Sequence, residues 1–419
     1  MLPTFVLPLI VLSAVSASPL AARSPTARST TPISASWYTG WHATEGAPLS
    51  SVSWEKYNTM YYSFAETTND VSSLSLVGSD GELLPQFVSE AHAHDVEAHI
   101  AVGGWTGSIW FSSNFATAKN RTAFVQTVTN FASKYNLDGI QVDWEYPNNQ
   151  GLGCNTISVN DTANFLAFLQ ELRQNPVGAT LTLSAAVDVK TFYDATGHPS
   201  TDVSGFAKVL DYIVLMNYDV WGPWSPTVGP NAPLDDTCIA AGARKGSAVS
   251  AVKAWSDAGI PANQIVLGVP TYGHSYSVSP SDAFASDKKT LAAYPAFNAS
   301  NQPLGDAWDN STAGGYDACG VYGSGSGGTF NFRGLIDGGF LTAKGKPADC
   351  IHYRYDNCSQ TPYVYNETSQ VMISFDNVQS YAAKGKYIKN AGLRGFALWE
   401  TGGDHNDMLL DSIIHAVGH

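Results

Sequence analysis

The chain has 419 residues, 44% of them hydrophobic and 14% charged, with a formal net charge of -14. That content describes a globular protein with ample core, built as one large domain or as two or three ordinary ones. The acidic balance argues against nucleic acid or an anionic membrane as partner, since both select basic surfaces, and leaves neutral or cationic ligands open. Trp 11, Tyr 20 and Phe 18 supply many flat rings, useful for stacking on sugars and equally for filling a core.

The N-terminal "MLPTFVLPLIVLSAVSASPLAA" has an apolar run short for a bilayer span, then small residues offering cleavage near Ala17. Residues 1–17 are therefore expected to be a signal peptide, and 18–32 a disordered spacer or propeptide. The mature protein is expected to be soluble and secreted, outside the cell or in its wall, with no membrane contact after cleavage. Five cysteines (154, 238, 319, 350 and 358) suit an exported chain with disulfides, and their spacing resembles no zinc site. Glycosylation sequons begin at Asn120, Asn160, Asn298, Asn310, Asn357 and Asn366.

Short apolar or β-branched runs then recur along the chain: residues 33–38, 59–64, 97–104, 139–144, 180–187, 211–218, 265–272 and 394–399. Segments with helical spacing lie between them, such as "RTAFVQTVTNFASKY" and "DTANFLAFLQELRQ". The second opens on a plausible Asp or Thr cap and presents Phe165, Leu166, Phe168, Leu169 and Leu172 on one face. Eight strands alternating with helices predict an α/β fold, a closed (β/α)8 TIM barrel of parallel strands. An open doubly wound sheet is the alternative, but no G-x-G-x-x-G follows the first strand.

One gap breaks the rhythm. About 120 residues separate the seventh strand from the eighth, far more than one crossover needs. Residues 277–365, Gly-, Tyr- and Ser-rich with three cysteines, read as a small α+β, mostly β, insertion domain. It would stand on the C-terminal face of a barrel formed by 33–276 and 366–419.

The fourth strand, "GIQVDWE", alternates apolar Ile140, Val142 and Trp144 with polar Gln141, Asp143 and Glu145. In a barrel the apolar set faces the helices and the polar set faces inward, climbing to the mouth. Two inward carboxylates at i and i+2, about 7 Å apart at Cα, are costly to bury unless one keeps a proton or both are hydrogen-bonded. Other strand ends converge on the same mouth: Trp105 after the third strand, Met216, Tyr218, Asp219, Trp221 and Trp224 after the sixth, Trp399 after the eighth. Several rings around carboxylates suggest a carbohydrate cleft, where an acid can protonate a glycosidic oxygen.

These motifs resemble glycoside hydrolase family 18, the chitinases of fungal type. The pattern D-G-x-D-x-D-x-E is matched by Asp138, Gly139, Asp143 and Glu145. S-x-G-G-W is matched by Gly103, Gly104 and Trp105, M-x-Y-D by "MNYD", and the seventh and eighth strands by "LGVPTYG" and "GFALWE". Tyr38 and Trp41 in "WYTGW" and Phe64 in "YYSF" fit the first two strands, so the likeness spans about residues 33–416. It implies Glu145 as general acid, then base, with the substrate's 2-acetamido oxygen as nucleophile and retained configuration. It implies Asp143 orienting the acetamido group, Tyr218 hydrogen-bonding its oxygen, Asp219 supporting that subsite, and Trp399 as floor under the cleaved sugar. Trp105 and Trp224 would stack sugars on the leaving-group side, while Trp221 matches no motif. Tyr38, Phe64, Gly104, Asp138, Gln141, Tyr146, Met216 and Tyr272 complete the implied substrate-binding set. No cofactor or metal is implied; the partners would be chitin and chitooligosaccharides, met by a monomer.

Three departures stand out. Gln141 occupies the place of the pattern's middle Asp, and an amide cannot take a neighbour's proton. Ala101 replaces the Ser of the third strand, and His274 replaces a frequent Arg after the seventh. For the cysteines, loops on the mouth side lead to an expected Cys154–Cys238 bridge, with two of Cys319, Cys350 and Cys358 paired inside the insertion. Two rival activities share this barrel: a chitin-binding lectin without turnover, and an endo-β-N-acetylglucosaminidase acting on N-glycans.

Overall fold

The protein is described from a computed structural model covering residues 31–309, 314–323 and 327–418. The expected signal peptide (1–17), the spacer as far as residue 30 and the Asn310 sequon lie outside the described residues. Each expected apolar run contributes a strand: β1 (Ile33–Thr39), β2 (Thr59–Thr67), β3 (Glu97–Gly103), β4 (Gly139–Asp143), β5 (Thr182–Val187), β6 (Tyr212–Leu215) and β7 (Ile265–Pro270). The five strands of the insertion's main sheet follow: β8 (Tyr272–Ser277), β9 (Thr329–Asn331), β10 (His352–Asp356), β11 (Thr361–Asn366) and β12 (Val371–Ser374). The last barrel strand is β13 (Gly395–Trp399).

Parallel pairing closes the ring in the order β1-β13-β7-β6-β5-β4-β3-β2, with β2 returning to β1. β1 is shared by both neighbours: Ile33 stands opposite Gly395, and Ala35 opposite Thr59. The expected (β/α)8 barrel is therefore the fold. Its interior is filled by Ile33, Ala35, Trp37, Tyr61, Ala101, Ala186, Tyr212, Val214, Val266 and Ala397. Three large rings among four alanines let the layers interdigitate, and each buried ring contributes about 1.5–3 kcal/mol. On β4, Ile140, Val142 and Trp144 join the outer core beneath the helices, which leaves Gln141 and Asp143 inside.

Helix boundaries follow local chemistry. Thr117 caps the helix Ala118–Tyr135 through the Asn120 N–H, and Asn136 ends it with φ 54. The helix Val378–Ala391 starts in a capping box between Asn377 and Ser380. The helix Asp161–Gln174 buries Phe165, Phe168, Leu169 and Leu172 as expected, but no side chain caps it. Asp161 instead sits in its first turn and accepts from Ser158 N–H. Among the described residues no helix is long and apolar enough to cross a membrane.

The insertion is an antiparallel sheet, ordered β9-β8-β12-β11-β10, with the short helix Phe332–Asp337 against it. Its extent corrects the expected 277–365 limits, because β8 begins at Tyr272 and β12 ends at Ser374. The pairing of Ser374 with His274 makes both strands one unit, and a single residue, Thr271, joins them to β7. The sheet thus rises directly from the C-terminal ends of the barrel strands.

The disulfides also differ from expectation. Cys154 bonds Cys319, and Cys238 bonds Cys358, leaving Cys350 free and exposed. Placing both 154 and 238 at the mouth was sound, but each reaches across to the insertion rather than to the other. The insertion is pinned to two barrel loops, after β4 and after β6, by covalent bonds.

Candidate active site

Glu145 emerges from β4 two residues beyond Asp143, and its backbone is held from both sides. Its N–H donates to Ser108 Oγ at 2.9 Å, and its carbonyl accepts from Asn155 Nδ2 at 2.8 Å. The Ser108 hydroxyl also lies 2.8 Å from the Gly104 carbonyl, which ties the turn after β3 to this strand. Gly103 and Gly104 have φ of 109° and 78°; a Cβ on the first would sit 2.1 Å from the Asp143 carbonyl. Only glycine allows that approach.

Below Glu145, Asp143 is 3% exposed and Gln141 fully buried. Gln141 Oε1 accepts the Trp37 indole N–H at 2.6 Å. Burial pushes the Asp143 carboxyl up to about 7. Burial, reinforced by the Asp143 charge, holds the Glu145 carboxyl well above the ordinary range. Both effects favour the protonated form of Glu145, the form that can act as an acid. The Tyr218 phenol is likewise raised by burial and by these carboxylates, so it remains a neutral hydrogen-bond donor.

Aromatic rings surround this acid. Trp399 packs on Phe64 at 5.5 Å between centroids, nearly parallel, and Phe64 continues to Trp41 at 6.2 Å. Met216, Tyr146 and Tyr218 line the same interior. Trp105 and Trp224 stand at the rim, 48% and 64% exposed. Trp221 is instead 4% exposed and packs against Tyr294, so it belongs to the core.

Asp219 is placed by Asn231, whose Oδ1 accepts its N–H at 2.8 Å. Its Oδ1 accepts from Tyr272 Oη at 2.8 Å and lies 2.7 Å from His274 Nε2. A carboxylate only accepts, so His274 carries its proton on Nε2. A cavity of about 340 Å3 extends from here past Trp399, lined among others by Trp41, His42, Asp309, Thr329 and Glu400. At its back Glu400 is 5% exposed, accepts from Thr39 Oγ1 and lies 3.0 Å from His42 Nδ1. A second cavity, 220 Å3, opens at the other end of the strands beside Glu97, Tyr212 and Arg394, and takes no part in this site.

Two expected residues fall outside. Tyr38 points from β1 into the outer core against Phe87 and donates to the Ala47 carbonyl. The inward residue is its neighbour Trp37; strand alternation alone does not say which of two adjacent rings faces in. Asp138 precedes β4 at the N-terminal end, where Oδ2 accepts the Ala98 N–H and meets His92 Nε2, both at 2.8 Å. It fastens the barrel's floor and touches no part of the cleft. Sequence reasoning missed Trp37, Ser108, Asn155, His42 and Glu400; Trp37, inside "WYTGW", and Glu400, beside Trp399 in "ALWE", carried a signal.

With this geometry in place, comparisons with known proteins are specific. A chitinase-like effector of Moniliophthora roreri is 51% identical over 387 residues, 92% of this chain and 93% of that protein. Chitinase A1 of Niallia circulans is 32% identical over 75% of this chain, which spans 41% of that longer protein. The crystal structure of a chitinase from Rhizomucor miehei superposes with a TM-score of 0.82 at 32% identity, covering 91% of this chain and 99% of that one. The model of the glycosyl hydrolases family 18 matches residues 34–404, and the chain belongs to that family.

Proposed function

We propose that this protein is a secreted chitinase that cuts β-1,4 linkages between N-acetylglucosamine units, acting as a monomer. The observation that carries the reading is the pair of inward carboxyls at the end of β4: Asp143 buried inside the barrel, and two residues on Glu145, its backbone fixed by Ser108 and Asn155 and its carboxyl raised by burial. A sugar resting on Trp399 places its glycosidic oxygen toward Glu145, which donates the proton as the bond breaks. No second carboxylate serves as nucleophile. The 2-acetamido oxygen of the same sugar attacks the anomeric carbon, with Asp143 orienting the acetamido N–H and Tyr218 hydrogen-bonding its oxygen. Asp219 supports that subsite through Tyr272 and His274. Glu145, now ionised, takes a proton from the incoming water, and the configuration is retained.

The test is hydrolysis of N-acetylglucosamine oligomers beside Glu145→Gln, with product lengths and anomers followed by chromatography. Release of the β-anomer first, falling by about 10²–10⁴-fold in the variant, is expected. A second reading, chitin binding without turnover, is favoured by Gln141 and by the relative named a chitinase-like effector. Binding of oligomers by both proteins with turnover by neither would establish it. An endo-β-N-acetylglucosaminidase is the weaker rival, because the insertion walls the cleft against a branched glycan.

A further inference from the structure

Asn231 lies in the loop after β6, fully buried, with both ends of its amide and both of its backbone groups engaged. Its Oδ1 accepts the Asp219 N–H at 2.8 Å, and its carbonyl accepts the Val220 N–H at 3.0 Å. Its Nδ2 donates to the Tyr272 carbonyl at 3.0 Å, and its own N–H donates to Ser374 Oγ at 2.9 Å. Three segments therefore meet on one residue: the chain leaving β6, the start of β8 and the end of β12.

Two of these partners also bond each other. Tyr272 Oη donates to Asp219 Oδ1, so both members of that pair are held through their backbones by opposite ends of one amide. Asp219 has φ of 55°, a left-handed conformation that a non-glycine residue keeps only when its surroundings fix it. Asn231 supplies that fixing by accepting from two successive N–H groups. Tyr272 cannot shift to follow a displaced Asp219, because β8 lies hard against β12; a Cβ on Gly273 would overlap the Ser374 carbonyl. Tyr272 and His274 both occupy Asp219 Oδ1, which leaves Oδ2 of this half-exposed side chain for the cavity that contains Trp399.

We infer that Asn231 is the positioning residue of this subsite, setting where the Asp219 carboxylate and the Tyr272 hydroxyl meet the sugar being cleaved, and so the rate of bond breaking. The inference deepens the proposed function and rests on it. Affinity for a sugar chain is spread over the rings of the cleft, whereas reaction requires the acetamido group in one geometry. Loss of the amide therefore falls on kcat far more than on KM. Asparagine suits the place because acceptor and donor branch from one carbon; an ionised carboxylate offers no donor, and alanine offers neither.

Turnover of N-acetylglucosamine oligomers and melting are measured for wild type, Asn231→Ala, Asn231→Asp and Ser374→Ala. Asn231→Ala is expected to lower kcat about 10²-fold, with KM within about threefold. Ser374→Ala strands the buried Asn231 N–H and lowers melting, yet keeps the amide on both partners, so its kcat should stay within about threefold of wild type. Asn231→Asp retains the acceptor for Asp219 but donates to the Tyr272 carbonyl only while its new carboxyl is protonated. Burial and the Asp219 charge favour that form, so its rate relative to wild type should be highest near about pH 5 and fall at least about tenfold by about pH 8. Equal kcat losses in Asn231→Ala and Ser374→Ala overturn the inference, as does a change in KM alone. If Asn231→Ala does not fold, the Asn231→Asp profile decides, and a rate parallel to wild type at every pH overturns the inference. Wild-type protein without turnover overturns the underlying function itself.

Discussion

Trp37 and Gln141 face each other inside the barrel, the indole N–H donating to the amide oxygen at 2.6 Å. An indole nitrogen only donates, so the amide is locked with its NH2 turned the other way. Gln141 Nε2 and Asp143 Oδ1 are both buried without a protein partner. Position 141 therefore offers a permanent donor where the family pattern carries an acid. Its register neighbours are Ala101 and Ser184, and the small Ala101 leaves room for the longer side chain.

Replacing Gln141 by Asp should reshape the pH dependence. Two buried carboxyls sharing one proton reach their singly charged state at lower pH than a lone buried carboxyl does. The acid limb of the rate profile should extend downward by about one pH unit. Superimposable profiles for wild type and Gln141→Asp would show that this residue does not tune the site.

Glu145→Gln should stabilise the fold at neutral and alkaline pH. A carboxyl raised in the folded state contributes fully below its unfolded value, about 4.3, and loses that contribution as pH rises through the folded value. The amide never ionises and escapes this loss. Melting temperatures should agree at pH 4, with the variant ahead by roughly 1–3 °C at pH 8. A constant difference across that range would mean that Glu145 is not held protonated by its surroundings.

The tryptophans should divide by packing. Trp105→Ala and Trp224→Ala remove exposed rings, so oligomer affinity should fall about three- to tenfold with melting unchanged. Trp399→Ala also strips Phe64 and Trp37 of a partner and should lower melting by roughly 2–4 °C as well. Calorimetry and binding on the same preparations distinguish the groups.

Asp138→Ala should act on stability alone, costing about 1–3 kcal/mol through the Ala98 N–H left unpaired. Tyr38→Phe should cost about 0.5–1.5 kcal/mol by losing its bond to the Ala47 carbonyl. Denaturant unfolding measures both. A change in oligomer affinity by the folded Asp138→Ala protein would return that residue to the cleft.

The alternation in "GIQVDWE" was enough to place Asp143 and Glu145, because a strand's period of two assigns every second residue to one face and eight such strands have few closed arrangements. The rim residues Trp105, Tyr218, Asp219 and Trp399 were legible for the same reason: each ends a strand, and strand ends meet at one mouth. Tyr38 and Trp37 show the limit of that logic, since adjacent rings exchange faces with a one-residue change of register that only pairing to β2 and β13 decides. Asp138 shows another, since position within a motif does not tell the floor of a barrel from its mouth. Cysteine pairing lay furthest out of reach. Cys154 meets Cys319 across a separation of 165 residues, and that meeting depends on how the insertion lies over the barrel. Local periodicity therefore determined the barrel and its two inward carboxyls, while contacts between distant segments decided which rings line the cleft and how the cysteines pair.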